Sequence, residues 1–333
     1  MLETLSLNEL VEKTLPAQSI GAQFLPENNN SVFLKATSAS TATIFDADNK
    51  PVAFGAALKC SPGQVYCMIG NVEQEVANKS LWVKKIETED KFNSALKITK
   101  QTPLIDYSGE TMFEQTFANK EEKPAILHIA DTLIDNTVGV KNLDLTKNVT
   151  VDIESSAEVA QWRDIIGVIV SDRFIFEKLT VNRFELLALE SDSITIENLN
   201  EENKIAVLDY DAELTTFDRE EYLQALFGVS GVRGKVAMNN GIANGYILTM
   251  DNRVLQCYGE DEATQNALLA AVASEMTSAH VVLCVRLDSN NTIRQLVKTA
   301  VSKTRITRLH SRTVVSNIKW NKIASPNLGL HLF

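Results

Sequence analysis

The sequence lacks the features that mark a secreted, membrane-spanning or metal-binding protein. Its four cysteines, at positions 60, 67, 257 and 284, show neither metal-ligand spacing nor a dense disulfide pattern. No apolar run approaches the roughly 20 residues of a membrane span, and the opening residues MLETLSLNEL lack the basic and apolar regions of a signal peptide. These absences predict a cytoplasmic protein with reduced cysteines, no bound metal and no membrane contact.

Positive charge is scarce as well. The chain has 43 acidic residues against 32 lysines and arginines, which gives a net charge of −11. Because phosphate backbones repel such a chain, nucleic acid is not an expected partner. The sequence also has no Ser-His-Asp spacing, no Walker loop and no Gly-x-Gly-x-x-Gly motif, so the common signatures of hydrolases and nucleotide-binding proteins are missing.

The length of 333 residues favours two domains. The polar, acidic stretch ENLNEENK (197–204) is the best linker candidate, which predicts domains at 1–200 and 204–333. Residues 90–200 contain additional material whose fold the pattern does not define.

The second half of the chain has the clearer pattern. The segment FDREEYLQALF (217–227) predicts a helix capped by Asp218, and Asn-Gly at 240–241 predicts a hairpin between two strands. VLQCYG (254–259) predicts a third strand that leads directly into a helix, and HVVLCVRL (280–287) predicts a strand covered on both faces. A helical stripe follows at 293–301, and the stretch RITRLHSRTVVSNIKW predicts a half-solvated hairpin.

A short internal repeat links the two halves. NKPVAFGAAL (49–58) aligns without a gap with NNGIANGYIL (239–248), and VYCMIG (65–70) aligns with VLQCYG (254–259) after one inserted residue. Two copies of one fold would produce this match. Because the stretches are short, chance similarity is the alternative.

The element order of the second half resembles the GNAT superfamily of acyl-CoA N-acyltransferases. More narrowly, residues 205–320 resemble the YitH/HolE-like acetyltransferase domain. The matching residues are Tyr210-Asp211, Asp218-Arg219, Gly245-Tyr246 and Tyr258-Gly259-Glu260-Asp261, followed by Leu268-Leu269. In similar nematode proteins a first GNAT unit precedes this domain. The resemblance implies an α/β (α+β) fold of two tandem GNAT-like units, each a mixed β-sheet flanked by helices, with a degenerate GNAT-like domain at 1–200 and a YitH/HolE-like domain at 204–333.

The resemblance also implies chemistry, namely transfer of an acetyl group from acetyl-CoA to a small-molecule or peptide amine. In GNAT proteins a strand splays open after a bulge, the pantetheine of CoA pairs with its free edge, and the pyrophosphate lies on the start of the next helix. Tyr258, the tyrosine beside the implied thioester position, is the candidate proton donor. The implied CoA-binding residues are Cys257, Gly259, Glu260, Asp261, Glu262, Ala263 and Thr264.

This loop departs from the family pattern. It has no basic residue, a single glycine, and acids at 260, 261 and 262, and Val297 stands where many members have a catalytic tyrosine. Carboxylates at a helix start either repel a bound phosphate or simply cap the helix. Two functions follow as alternatives: an N-acetyltransferase with a degenerate CoA loop, or a catalytically inactive GNAT-fold module that binds a ligand or a protein. The sequence defines neither the acceptor nor the oligomeric state.

Overall fold

The computed structural model describes residues 3–5, 32–34, 39–86, 93–103, 122–139, 146–154, 159–160, 162–189 and 194–333. The chain divides into two compact units. Unit 1 comprises Met1–Val170 with Leu309–Thr313, and unit 2 comprises Ser171–Arg308 with Val314–Phe333. Unit 2 therefore begins about 30 residues before the expected boundary at 200–204. The reason is pairing, since the strand Thr195–Asn198, which includes the first two residues of the predicted linker, belongs to the sheet of unit 2.

Unit 1 is a mixed sheet with one long helix across it. Its sheet has the order β9-β5-β4-β3-β7-β6-β8, in which β9 runs parallel to β5 and β7 parallel to β3. Its strands are β1 (Glu3–Leu5), β2 (Val32–Leu34), β3 (Ala39–Phe45), β4 (Pro51–Ser61), β5 (Gln64–Val72), β6 (Lys79–Ile86), β7 (Asn93–Pro103), β8 (Glu122–Pro124), β9 (Asn148–Ile153) and β10 (Val170–Ser171), of which β1 and β2 form a separate parallel pair.

The helices of unit 1 are α1 (Gln74–Ala77) and α2 (Ala125–Thr137), and a π-helical turn spans Trp162–Ile166. Apolar residues of α2 recur three and four positions apart, which places Ile129 and Leu133 on one face. Both side chains are buried in the core between α2 and the sheet.

Unit 2 is a mixed sheet with helices on both faces. The sheet order is β12-β13-β14-β15-β16-β11-β17, and β16 runs parallel to β15. Its strands are β11 (Phe176–Asn182), β12 (Thr195–Asn198), β13 (Val232–Asn239), β14 (Ile242–Met250), β15 (Arg253–Gly259), β16 (His280–Arg286), β17 (Ser302–His310) and β18 (Ile323–Ser325). Its helices are α3 (Arg183–Leu187), α4 (Lys204–Ala212), α5 (Glu220–Gly228), α6 (Glu262–Glu275) and α7 (Asn291–Thr299), with a 3₁₀ turn at Trp320–Lys322.

The aligned repeat corresponds to equivalent elements in the two units. Asn49 (φ 63°) and Asn240 (φ 51°) both form left-handed turns that lead into β4 and β14. Gly55 and Gly245 align, and each lies beneath the helix that crosses its own sheet, α2 or α6. In each unit that helix leads to a strand parallel to the third strand of the repeat, β9 beside β5 and β16 beside β15. The predicted fold class, a mixed α/β fold of two tandem units, is confirmed.

Two predictions of local structure are wrong. Residues 305–320 do not form a hairpin: the chain leaves β17 at His310 and forms no regular strand before β18. Helix α5 begins at Glu220 rather than after a cap at Asp218, although the Asp218 carboxylate accepts a hydrogen bond from the Glu220 amide at 3.1 Å. In the described part of the chain no helix is long and apolar enough to cross a membrane.

Candidate functional site

Strand β15 separates from its parallel neighbour β16 almost at once. The two strands share one paired position, Arg253 with Val282. On its other edge β15 stays paired with β14 up to Gly259, and the register shift opposite Leu248 and Thr249 leaves Leu255 as an extra, bulged residue. A bulge bends and twists the strand that carries it. The bulge and the divergence reproduce the splay that the GNAT resemblance implies.

The chain itself fills this gap. Strand β18 pairs antiparallel with the open edge of β15, with Ile323 opposite Tyr258 and Ser325 opposite Cys257. We call residues 320–333 the plug segment. All of its residues except Asn321 are buried. The edge that would pair with a pantetheine is therefore occupied by main chain.

The three acids at the start of α6 all have partners within unit 2. Asp261 is the N-cap of α6, because its carboxylate accepts a hydrogen bond from the Thr264 amide at 2.8 Å. This hydrogen bond holds the pKa of Asp261 below its usual value. Glu262 accepts hydrogen bonds from the amide and hydroxyl of Thr292, at 2.7 and 2.9 Å, and so caps α7 instead. The carboxylate of Glu260 pairs with Lys322 of the plug segment at 2.5 Å.

The other residues implied to bind CoA are mostly enclosed. Burial raises the pKa of the Cys257 thiol, which lies 3.8 Å from the carbonyl oxygen of Gln265. The carbonyl oxygen of Gly259 accepts a hydrogen bond from the side-chain amide of Gln265 at 3.1 Å. Thr264 is buried, and Ala263 is exposed on the first turn of α6. These contacts stabilise the helix start and leave its first turn poorly suited to hold a pyrophosphate.

Tyr258 lies on the opposite face of the sheet from α6, in a buried polar chamber. Its side chain is fully buried, and its hydroxyl accepts a hydrogen bond from the Arg219 guanidinium at 3.4 Å. Burial raises the pKa of Tyr258 far above its usual value, and the positive charge of Arg219 only partly opposes this. The hydroxyl therefore faces buried side chains, whereas a proton donor needs access to a departing thiolate.

The Arg219 chamber has a wall of side chains from α4, α5, β14 and β15, together with Arg219, which immediately precedes α5. Its members are Asp211, Arg219, Tyr222, Tyr246, Gln256 and Tyr258. Arg219 Nη1 lies 3.3 Å from the Asp211 carboxylate, which also accepts a hydrogen bond from the Tyr246 hydroxyl at 2.5 Å. Burial raises the pKa of Asp211, and Arg219 opposes that rise. Burial works against the charge on Arg219, but Asp211 and the surrounding tyrosines Tyr222, Tyr246 and Tyr258 together outweigh it, so the pKa of Arg219 is raised.

The plug segment closes this chamber. The Phe333 ring centre lies 3.8 Å from Arg219 Cζ, and Asn327 donates a hydrogen bond to the Tyr222 hydroxyl at 2.7 Å. The ring centres of His331 and Tyr222 are 4.7 Å apart. The family resemblance in the sequence includes Asp211 and Arg219 only as motif positions, and it does not predict the plug segment. Its alternating apolar residues, in LGLHLF, were the available signal.

The burial of His331 beside two arginines predicts that the stability of the protein depends on pH. Burial lowers the pKa of His331 well below its usual value, and the nearby cations Arg219 and Arg308 lower it further. Its other close neighbours are the rings of Tyr222 and Phe333. An unfolded histidine binds a proton near pH 6.5, so the stability that the neutral imidazole supplies is complete above that pH and is lost as the pH falls below it.

We therefore expect the midpoint of the unit 2 transition to fall from pH 7.5 to pH 5.5 by more in the wild type than in a His331→Gln variant. Differential scanning calorimetry at several pH values measures both slopes. Carboxylates such as Asp211 titrate in both proteins, so their contribution cancels in the comparison. Equal slopes would show that His331 does not control the effect.

The comparisons with known proteins are sparse. A family model described as a domain of unknown function (DUF7596) matches residues 23–170, and this match ends at the boundary between the two units. No curated protein matches the sequence. Among the described residues, no cluster of acidic, histidine or cysteine side chains could hold a metal ion.

Solved structures with a similar fold include N-acetyltransferases. A candidate acetyltransferase from Pyrococcus horikoshii shares 13% identity with a TM-score of 0.49, over 85% of this chain and 76% of that one. GCN5-related N-acetyltransferases from Sphaerobacter thermophilus and Kribbella flavida share 10% and 12% identity with TM-scores of 0.40 and 0.36. The former match covers 81% of this chain and 80% of that one, and the latter 78% and 57%. Because these TM-scores are low, the location of the candidate site follows only from the strand order and the contacts of β15 in this protein.

Proposed function

We propose that this protein is a tandem GNAT-like protein whose second unit works as a non-catalytic binding module. In this proposal unit 1 is a degenerate GNAT-like domain and unit 2 a YitH/HolE-like domain. The observation that carries it is the pairing of β18 with the open edge of β15. A ligand that binds by main-chain pairing needs that edge, and the chain's own segment occupies it.

Two further features support a binding role over acetyl transfer. All three acids of the α6 start are engaged in caps or an ion pair, so an incoming pyrophosphate meets negative charge and few free amides. Tyr258, the proposed proton donor, is enclosed beside a cation in the Arg219 chamber. The partner of such a module is a ligand or a protein, without nucleic acid or membrane involvement.

Acetyl transfer from acetyl-CoA to a small-molecule or peptide amine is the second candidate. The specific observation in its favour is the bulge at Leu255 and the early divergence of β15 from β16, which together form a GNAT-type splay. In that case residues 257–264 hold CoA after the plug segment has left, and Tyr258 protonates the thiolate. The neighbouring backbone at Gly259 is suited to close approach, because glycine has no side chain there.

CoA titration distinguishes the two functions. We expect no heat of binding when CoA or acetyl-CoA is titrated at millimolar concentration into the full chain, and no turnover with polyamine or peptide amines. A Glu260→Gln/Glu262→Gln variant should also fail to bind CoA and should lose about 1 kcal/mol of stability, because the cap on α7 is weakened. The matched control, Glu197→Gln/Glu202→Gln, removes the same charge from exposed positions outside this loop. CoA binding that tightens only in the first variant, or turnover that Tyr258→Phe abolishes, would favour the enzyme.

A further inference from the structure

We propose that the Arg219 chamber and the adjoining edge of β15 form a peptide-binding site, in which the plug segment is the resident ligand. The site accepts an extended peptide from a partner protein, one that pairs antiparallel with β15 and presents an aromatic side chain to Arg219. This inference rests on the proposed function, because it names the chemistry of the partner that the binding module takes.

The wall of the chamber is held by bonds among its own residues. Gln256 donates a hydrogen bond to the Tyr246 hydroxyl at 2.8 Å, and Tyr246 donates in turn to Asp211. Asp211 pairs with Arg219, and Arg219 reaches the Tyr258 hydroxyl. These bonds do not involve the plug segment. The wall is therefore organised independently of its occupant, as in a preformed binding site.

The contacts across the chamber are those of a ligand with its site. Phe333 lies over the Arg219 guanidinium as in a cation–π complex, and its main-chain oxygen is 3.5 Å from Arg219 Nη2. Asn327 supplies one hydrogen bond to Tyr222, and β18 adds main-chain pairing with β15. An edge strand with pockets for alternate side chains is a standard mode of peptide recognition.

The plug segment leaves some buried polar groups in and beside the chamber without hydrogen bonds. Arg219 is buried, and its Nε atom has no hydrogen-bond acceptor, while Nη1 faces only the Asp211 carboxylate at 3.3 Å. On the plug side, the Ser325 hydroxyl and the Asn327 side-chain oxygen are also buried without a hydrogen bond. Because unmade buried hydrogen bonds weaken a complex, a peptide that brings an oxygen acceptor to Arg219 competes with the plug segment.

The plug segment is tied to the sheet mainly by side-chain burial, and its main-chain pairing with the sheet is short. β18 pairs with β15 at two positions, and β15 keeps its pairing with β14 from Gly245 to Met250 without it. Residues 311–319, which lead into the plug segment, contain a single isolated bridge, Thr215 with Ile318. Release of the segment thus leaves the order of the main strands unchanged.

A labelled peptide with the sequence of residues 320–333 tests the site by fluorescence anisotropy. The host is the full chain, either wild type or with Phe333→Leu, which removes the ring from Arg219 but keeps an apolar side chain. A resident ligand lowers the competent fraction, so we expect about tenfold tighter binding to Phe333→Leu than to the wild type. Adding Asp211→Asn/Arg219→Met, which removes the cation without leaving its buried partner charge unpaired, should weaken binding about tenfold. The same Phe-to-Leu change in the peptide should do likewise.

The controls separate this inference from the proposed function. Asn327→Ala is a second weakened host, for use where Phe333→Leu does not fold as judged by circular dichroism. Equal binding of a scrambled peptide, or binding unaffected by Asp211→Asn/Arg219→Met, overturns the peptide site. Dimers of the weakened hosts that exchange plug segments overturn the partner assignment in favour of a second copy. CoA binding in the calorimeter contradicts the proposed function, whereas absence of both CoA and peptide binding contradicts only this inference.

Discussion

Replacing Arg219 with methionine is expected to destabilise unit 2 by about 3–5 kcal/mol, because removing one member of a buried ion pair strands the other charge. The stranded group is Asp211, whose remaining partner is the Tyr246 hydroxyl. Both members of the pair are almost fully buried, at 1% and 2% side-chain exposure, so water does not compensate. The loss is among the largest that one substitution in this unit should cause.

The matched control is the double variant Asp211→Asn/Arg219→Met, which removes both charges. We expect it to recover most of the lost stability, since a neutral amide costs less to bury than a carboxylate. Burial already raises the pKa of Asp211, and loss of Arg219 removes the opposing charge. The single variant should therefore be less destabilised at pH 5 than at pH 8, because a raised pKa favours the neutral acid at low pH.

Hydrogen exchange of the β15 amides is the suitable measurement for these variants. Two compact units need not unfold in one step, and a single global midpoint would mix them. A single variant as stable as the double variant at pH 8 would show that the pair contributes no net charge stabilisation.

Substitution of Gly245 with alanine should cost about 3 kcal/mol, at the upper end for overpacking. A Cβ atom at this position would lie 2.5 Å from the carbonyl oxygen of Tyr258 and 2.7 Å from the Cα of Gly259. Both neighbours are backbone atoms of the paired strand, so relief requires β14 and β15 to move apart. That movement would also disturb the edge of β15 that holds the plug segment.

Gly55 is the matched control because it aligns with Gly245 in unit 1. There the added Cβ would meet side-chain atoms of Ile129 and Leu133 on α2. The nearest atom, Ile129 Cγ2, belongs to a β-branched side chain that is stiff in a helix. Relief therefore needs a small shift of α2, and Gly55→Ala should cost about 2 kcal/mol. Chemical denaturation, followed by exchange of β4 and β14 amides, compares the two. Equal losses would mean that the α2 side chains are as rigid as the paired backbone.

The sequence predicted most of unit 2 because its signals are local. The Asn-Gly turn, the alternation in β14 and β15, and the polar start of α6 each depend on residues a few positions apart. The cap at Asp261 is local as well, since the bond it makes reaches only to Thr264.

The features that could not be predicted from the sequence depend on contacts between residues that are far apart along the chain. The pairing of β18 with β15 joins residues more than 60 positions apart, and the partners of Glu260 and Glu262 come from Lys322 and Thr292. A carboxylate at a helix start looks the same in sequence whether it caps its own helix, caps another or meets a cation.

The position of β11 has a consequence for biosynthesis. This strand lies between β16 and β17 in the finished sheet, yet it precedes both by about 100 residues or more along the chain. Because translation adds roughly 5–20 residues per second, β11 is synthesised several seconds or more before either neighbouring strand. Unpaired strands are prone to join other chains, and charged residues oppose this. The adjacent Glu177 and Lys178, the second and third residues of FEKLTVN, place such charges in the nascent strand for that interval.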